Sequence, residues 1–269
     1  MAVEIRFDLL GPLTIRSREG AHSPRGPKIT KILAMLALRP ALPVETTALV
    51  EELWGENPPA RAVGTVRTHV YHLRRLLSEY HGVPGGELVR TEASGYVLAV
   101  EPYQVDAVRF AVLAAEGRQL CNAGRLGNAL SAARKGLGLW RGAPLANVRT
   151  GRLLGGHVRR LGELHTQLLE VRIEAEMASG RHRELIPELR DLIVRDPLNE
   201  WFHACLMEAL RRADRRADAL KAFQELRVAL DLELGVRPST GLRELQRGIL
   251  LDEDGWRTAG RMPSLSAAS

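Results

Sequence analysis

Between Asn57 and Ser78 the chain holds four arginines, Arg61, Arg67, Arg74 and Arg75, and no acidic residue. Guanidinium groups grip phosphate oxygens bidentately, so an unopposed set on one segment suits a polyanion. Wound as a helix over residues 60–80, the segment puts Ala62, Val63, Val66, Val70, Leu73 and Leu77 on one face. The opposite face carries Arg61, Gly64, Thr68, Tyr71, His72 and Arg75, with Arg67 and Arg74 on one flank and Thr65 on the other. Such hydroxyl, imidazole and guanidinium groups can reach base edges or sugars, and Gly64 leaves room for close approach. His69 lies about 60° from the apolar centre, which predicts a partly buried imidazole bonded to backbone or phosphate. His69 and His72 have a spacing that could chelate a metal, but no carboxylate or Cys ligand lies nearby, so no metal and no cofactor is expected. A core helix with a solvated basic face has the same pattern. The order of the surrounding elements must decide between the two.

Other chemistry finds no foothold. The chain has no H-E-x-x-H, G-x-S-x-G, C-x-x-C or G-x-G-x-x-G pattern, and an enzyme is not expected. Glu51-Glu52 and Asp252-Glu253-Asp254 read as solvated helix ends. Of the 38 basic residues only Lys28, Lys31, Lys135 and Lys221 are lysines, an excess that arginine-rich codons would produce. Only local clustering of arginine therefore carries weight. Cys121 and Cys205 sit in helical, Leu-rich surroundings and read as buried thiols. The longest apolar run, Ile32–Leu38, has seven residues, far short of the roughly 20 that span a bilayer. No signal sequence opens the chain, and a cytoplasmic protein without membrane partners is expected.

The elements that would position the arginine-bearing helix come next. Val3, Ile5, Phe7 and Leu9 alternate with polar residues, a half-buried strand, and Leu13–Arg16 returns after the Gly11-Pro12 turn. Helical periods follow over Lys28–Leu38 and Glu45–Leu53, then the Gly55–Pro59 turn and the helix described above. Gly82–Gly86 reads as a loop, and Glu87–Thr91 with Gly95–Val100 as a two-stranded hairpin tipped by Glu92-Ala93-Ser94. Strands, three helices and a hairpin describe a winged helix-turn-helix, in which one helix enters the major groove. On that reading Gly64, Thr65, Thr68, Tyr71, His72 and Arg75 are the candidate groove contacts. Arg25, Lys28, Arg61, Arg67, His69, Arg74, Arg90 and Thr91 are the candidate phosphate contacts, Arg25 and Lys28 because a helix start also favours anions.

From Val105 to about Asp252 the period is helical throughout. Ala123-Gly124-Arg125, Ser179-Gly180-Arg181 and Ala213-Asp214-Arg215 each precede a helix with a small or aliphatic residue four positions past the Arg. The second and third copies lie 34 residues apart, the tetratricopeptide period. The first two lie 56 apart, so an insertion containing Trp140–Leu145 intervenes. The fold class expected is mostly α: an N-terminal α+β winged helix over 1–102, an all-α tetratricopeptide-like domain over 103–252, and a disordered tail over 253–269.

Leu10-Gly11-Pro12, Gly26-Pro27-Lys28, Leu53-Trp54-Gly55, Pro58-Pro59-Ala60, Thr65–Leu76 and Gly95-Tyr96 together resemble the OmpR-type winged helix of the Streptomyces antibiotic regulatory protein family. Leu139–Gly142, Arg172–Glu176, Gly180-Arg181, Pro187–Leu189, Glu233–Pro238 and Leu242–Leu250 resemble that family's bacterial transcriptional activation domain. The order of these motifs over residues 3–251, rather than any single one, carries the likeness. The resemblance implies an activator of secondary-metabolite genes that binds direct repeats of double-stranded promoter DNA near the −35 region. It implies head-to-tail protomers on DNA and contact with RNA polymerase, including the principal sigma factor. It makes Thr65–Arg75 the recognition helix and Val89–Val97 the wing. The wing tip lacks the basic residue of many such wings. The winged helix leads the sequence, so no receiver domain is expected, and no phosphate-binding loop pattern occurs among its residues. A helical-repeat adaptor and a ligand sensor are the competing readings. On the first reading, residues 1–100 alone should bind promoter DNA without activating transcription.

Charge does not mark the DNA-binding half by amount. Residues 1–100 hold 12 basic and 10 acidic residues, and residues 101–250 hold 24 and 19. The signal lies in distribution, and the helical half carries the larger excess.

Overall fold

A computed structural model describes residues 5–251 except residue 83. The expected disordered tail, Asp252-Glu253-Asp254, and the Val3-Glu4 start of the first strand lie outside the described residues.

Three short strands open the fold: β1 (Arg6–Asp8), β2 (Thr14–Ser17) and β3 (Gly20–His22), an antiparallel meander with Phe7 opposite Ile15 and Ile15 opposite His22. Phe7 and Ile15 are fully buried, as their alternation requires. β3 was not legible, because Gly20-Ala21-His22 is an edge strand with no apolar alternation. Pro27 starts α1 (Pro27–Ala37), where its missing N–H costs nothing. The second helix begins one residue later than its periodicity suggests. Val44 and Glu45 form β4 (Val44–Glu45), and α2 (Thr46–Trp54) follows. Then come α3 (Ala62–His81), a one-turn α4 (Gly85–Leu88) that takes the end of the expected loop and the Glu87-Leu88 start of the expected strand, β5 (Val89–Thr91) and β6 (Gly95–Leu98). The expected two-stranded wing is therefore three-stranded, in the order β4-β6-β5. Gly95 permits the extra pairing, because a Cβ there would overlap the Val44 carbonyl.

The rest is helical: α5 (Asp106–Asn122), α6 (Leu126–Leu137), α7 (Arg152–Ala178), α8 (His182–Arg195), α9 (Glu200–Arg212), α10 (Arg216–Leu234) and α11 (Thr240–Leu251). The three recurring tripeptides form one kind of turn. Gly124, Gly180 and Asp214 all have left-handed backbone, with φ of 72°, 79° and 60°, where Gly is easiest and Asp is tolerated. Arg125, Arg181 and Arg215 then cap α6, α8 and α10. The residues four further on, Ala129, Leu185 and Ala219, are buried. The half is thus a helical repeat, and the insertion comprises the loop between α6 and α7 together with part of the long α7. No described helix is long and apolar enough to cross a membrane.

By compactness the chain forms two units, one up to Arg172 and one from Ile173. The first contains the winged helix together with α5, α6 and most of α7. Its members are joined by polar contacts distant in sequence. The Asp106 carboxylate accepts the Leu9 and Leu10 N–H groups at 2.6 and 3.0 Å. The Arg141 and Leu145 N–H groups donate to the Leu10 and Leu9 carbonyls at 2.7 and 2.9 Å. Asn147 accepts from Leu13 N–H at 2.6 Å and donates back to its carbonyl at 3.1 Å. Two sequence motifs, Leu10-Gly11-Pro12 and Leu139–Gly142, thus lie side by side. Phe7, Leu9, Leu10 and Leu13 share one buried cluster with Phe110, and Trp140 packs against it.

Glu52 corrects the reading of Glu51-Glu52 as solvated. It is only 2% exposed. Its carboxylate accepts the Gly151, Leu153 and Leu154 N–H groups, the last two at 3.0 Å, at the start of α7. Those are the orphan donors of a helix N-terminus, where negative charge is favoured. Lys31 lies 3.8 Å from the same carboxylate, and Glu51 pairs with Arg152. A side chain on Gly151 would meet Glu52 at 2.7 Å.

In the second unit α8 packs on α9, α9 on α10, and α11 on both α9 and α10. Its core is built from Trp201, Phe202, Cys205, Leu206, Phe223 and Leu226. Glu208, also 2% exposed, is paired by Arg211 and Arg212 of its own helix at 2.9 and 2.6 Å.

Candidate nucleic-acid interface

α3 is anchored by Val66, Val70, Leu73 and Leu77, all fully buried, and it packs against α1, α2 and α4. That fixes its opposite face outward. Gly64, Thr68, Tyr71, His72 and Arg75 are exposed there, Tyr71 by 62%. Tyr71 and His72 meet edge-on with ring centroids 5.5 Å apart. A Cβ on Gly64 would meet nothing within 4 Å, so the surface beside it is open. Thr65 is half-buried, and the Thr65 and Thr68 hydroxyls donate to the carbonyls one turn back at 3.1 and 3.2 Å. Their lone pairs still face outward as acceptors. Val63 departs from its expected place on the apolar face and is 47% exposed. The buried stripe, which already begins at Ala62, is narrower than the periodicity suggests.

Arg75 is exposed, and its Nε donates to Glu79 at 2.5 Å, one turn along the helix. That bond holds the guanidinium further into its charged form. Arg74 behaves differently from its flank neighbours. It is half-buried, its Nε donates to the Val89 carbonyl and its Nη2 to the Thr91 hydroxyl, both at 2.8 Å. The side chain ties α3 to β5, so two expected phosphate contacts, Arg74 and Thr91, bond to each other. The helix geometry alone could not show this, because the wing strand is fifteen or more residues away.

Lys28 lies with its Nζ 4.6 Å above the Trp54 ring. Its charge is also felt by His69, whose pKa is lowered first by burial, then by Lys28 and His72. His69 is half-buried, as expected, and at neutral pH this holds it neutral. Arg25 is exposed ahead of α1. Arg90 is exposed, with its Nε donating to the Glu87 carbonyl at 3.2 Å.

The remaining residues converge. A cleft of about 770 Å³ runs between the start of α2, the Pro58–Arg61 turn, the first turns of α3 and the wing. Arg61, Gly64, Arg67 and Thr91 line it, joined by Thr46 and Thr47, which the sequence reading missed. Two hydroxyl residues opening an apolar helix were a usable signal. Thr46 is held to the wing through its N–H, which donates to the Ser94 carbonyl at 3.0 Å. The cleft therefore gathers two exposed guanidiniums, three threonines, Tyr96 and a helix start, with Glu92 as the acidic member of its lining.

Comparisons with known proteins agree with this architecture. The family model described as "Transcriptional regulatory protein, C terminal" matches residues 22–98. The one described as "Bacterial transcriptional activator domain" matches residues 105–250. The regulatory protein DnrI of Streptomyces peucetius is 38% identical over 269 residues, covering 98% of each chain. The transcriptional regulator RedD of Streptomyces coelicolor is 32% identical over 93% of this chain and 71% of its own. The chain spans 24% of the longer regulatory protein AfsR of Streptomyces griseus, at 35% identity. A solved structure of Mycobacterium tuberculosis EmbR, in complex with a low-affinity phosphopeptide, superposes with a TM-score of 0.86. It is 30% identical and covers 93% of this chain and 66% of that one. Full-length similarity to such regulators and the two matched domains together place the chain in the Streptomyces antibiotic regulatory protein family of transcriptional activators.

Proposed function

We propose that the chain activates a secondary-metabolite gene cluster by binding direct repeats near the −35 region of its promoters and bringing RNA polymerase there. The supporting observation is the outer face of α3: acid-free from Gly64 to Arg75, exposed, and continuous with a cleft that holds Arg61 and Arg67. Thr68, Tyr71, His72 and Arg75 read the major groove, with Gly64 and Thr65 at the point of closest approach. Arg61, Arg67, Thr46 and Thr47 hold one phosphate strand in the cleft, and Arg25, Lys28 and Arg90 lie on its approaches. Arg74 and Thr91 act by tying α3 to the wing, and His69, beside Lys28, is a partly buried phosphate contact.

Direct repeats call for head-to-tail protomers on one DNA face. The division of labour falls near residue 102, with the helical half contacting polymerase and its principal sigma factor, in the cytoplasm. Nuclease footprinting on promoters of the neighbouring gene cluster tests the reading. Arg75→Ala should erase the difference between promoter and random DNA. If it footprints the same repeats with wild-type selectivity, α3 is not the reading helix.

A further inference from the structure

We infer that the outer face of α10, closed at one end by the Val236–Pro238 segment and the start of α11, is a docking groove for an acidic amphipathic helix of a partner protein. This rests on the reading that the helical half works by protein contact, and it assigns that contact a place. The groove has a volume of about 640 Å³. Val228, Leu232 and Val236 line it and are 49%, 79% and 46% exposed. One exposed aliphatic residue is ordinary, but three in one concave site form a patch that favours a partner.

Arg227, Arg237 and Arg243 line the same groove, against a single acid, Asp231. Arg227 and Arg237 have no ion-pair partner among the described residues, and Arg243 donates to the Thr240 hydroxyl at 3.1 Å. Several other arginines in this unit are matched, Arg181 by Glu184, Arg211 and Arg212 by Glu208 and Arg215 by Asp218. Residues 173–251 hold 13 basic and 14 acidic residues, so the groove is a positive island on a neutral background.

An aliphatic floor with an arginine rim fits a helix that presents apolar residues at i, i+3 and i+4 and carboxylates on either side. Nucleic acid would make no use of the aliphatic side chains Val228, Leu232 and Val236. A second copy docking by the same face would set arginine against arginine, which disfavours it.

The test uses the full chain and a labelled peptide of about 18 residues with leucines at helical spacing and glutamates flanking them. A twin with lysine for glutamate and a scrambled acidic peptide serve as controls. The acidic amphipathic peptide should bind. Leu232→Asp and the Arg227→Glu/Arg237→Glu pair should each weaken it about tenfold. Leu232 is a surface residue, so a melting curve like wild type establishes that the variant folds. Both variants should footprint promoter DNA normally and lose activation in a purified polymerase assay. Equal binding of either control peptide, or wild-type binding by both variants, overturns the proposal. So does a dimer in sedimentation that Leu232→Asp abolishes in the absence of peptide binding. Loss of the wild-type footprint would instead sink the DNA reading, while the peptide result would still decide the groove.

Discussion

The two compact units hold their buried carboxylates in opposite ways. In the first, Glu52 and Asp106 accept backbone N–H groups from segments 96 to 102 residues away. In the second, Glu208 is held by arginines three and four residues further along its own helix. The first arrangement satisfies orphan donors of a distant helix and strand, so its loss leaves buried backbone groups unpaired. The second is a local ion pair whose arginines can turn to water. The proposed DNA surface is therefore not free-standing, since the β1–β2 turn and α2 of the same unit complete their hydrogen bonds with α5, the α6–α7 loop and the start of α7. Non-local closure also costs chain entropy before any contact rewards it.

The strongest test of this contrast is truncation. Residues 1–100 lack the partners of Leu9, Leu10, Leu13 and Glu52, so they should fail to unfold cooperatively. Residues 1–172 should fold. Circular dichroism melts of both fragments decide the matter, and a sharp melt for 1–100 would break the comparison. This revises the expectation that the first 100 residues bind DNA alone.

Next in size is removal of the carboxylates. Glu52→Ala should cost about 3 kcal/mol, because three N–H groups lose their acceptor in a buried site. Gly151→Ala should destabilise in the same direction through its close approach to Glu52. Glu208→Ala should cost less, about 1–2 kcal/mol, since Arg211 and Arg212 are 23% and 37% exposed. Urea unfolding of the three variants ranks them, and equal losses for Glu52→Ala and Glu208→Ala would erase the distinction.

On the DNA surface the expected effects split by role. Arg75→Ala should reduce discrimination between promoter and random DNA by about 1–3 kcal/mol. Arg61→Ala and Arg67→Ala should weaken both alike and lower the salt slope by about 0.9 each. A salt titration of binding separates these outcomes, and selectivity loss in the cleft variants would move base reading into the cleft.

The smallest expected effect is on pH dependence, and its sign differs between the carboxylates Asp106 and Glu208. Burial raises the Asp106 pKa, against hydrogen bonds from Leu9, Leu10 and Arg141. Its native form therefore binds a proton more readily than its unfolded form, and stability from this group declines as pH rises through the raised pKa. Burial also pushes Glu208 upward, but the bonds from Arg211 and Arg212 outweigh it and the pKa is lowered. Its contribution is full above the usual glutamate range, about 4.3, and is lost as pH falls through the lowered value. Burial lowers His157, His165 and His203. Both units should thus lose stability as pH drops below roughly 6.5, when the unfolded imidazoles protonate first. Unfolding of Asp106→Asn and Glu208→Gln across this range should show slopes that change in opposite directions.

The exposed face of α3 was legible because helical periodicity is local. Val66, Val70, Leu73 and Leu77 fix the core side, and Tyr71, His72 and Arg75 must then face out. The repeat turns were legible for the same reason. Gly124, Gly180 and Asp214 occupy a backbone conformation that few residues tolerate. The wing-bound role of Arg74 was not, nor was the place of Thr46 and Thr47 in the cleft. Each depends on a strand or loop that sequence distance conceals. β3 and β4 were missed because edge strands of two or three residues carry no pattern of their own.

Residue order alone determined the winged helix, the helical repeats and the side of α3 that faces solvent. These follow from spacings of three, four or 34 residues along one chain. Only the tertiary structure decided that Glu52 is the acceptor for the start of α7 and that Leu10-Gly11-Pro12 lies against Arg141. It alone showed that three unpaired or barely paired arginines surround an aliphatic groove. A side chain's partner is set by what packing brings within about 3 Å, and periodicity carries no record of that distance.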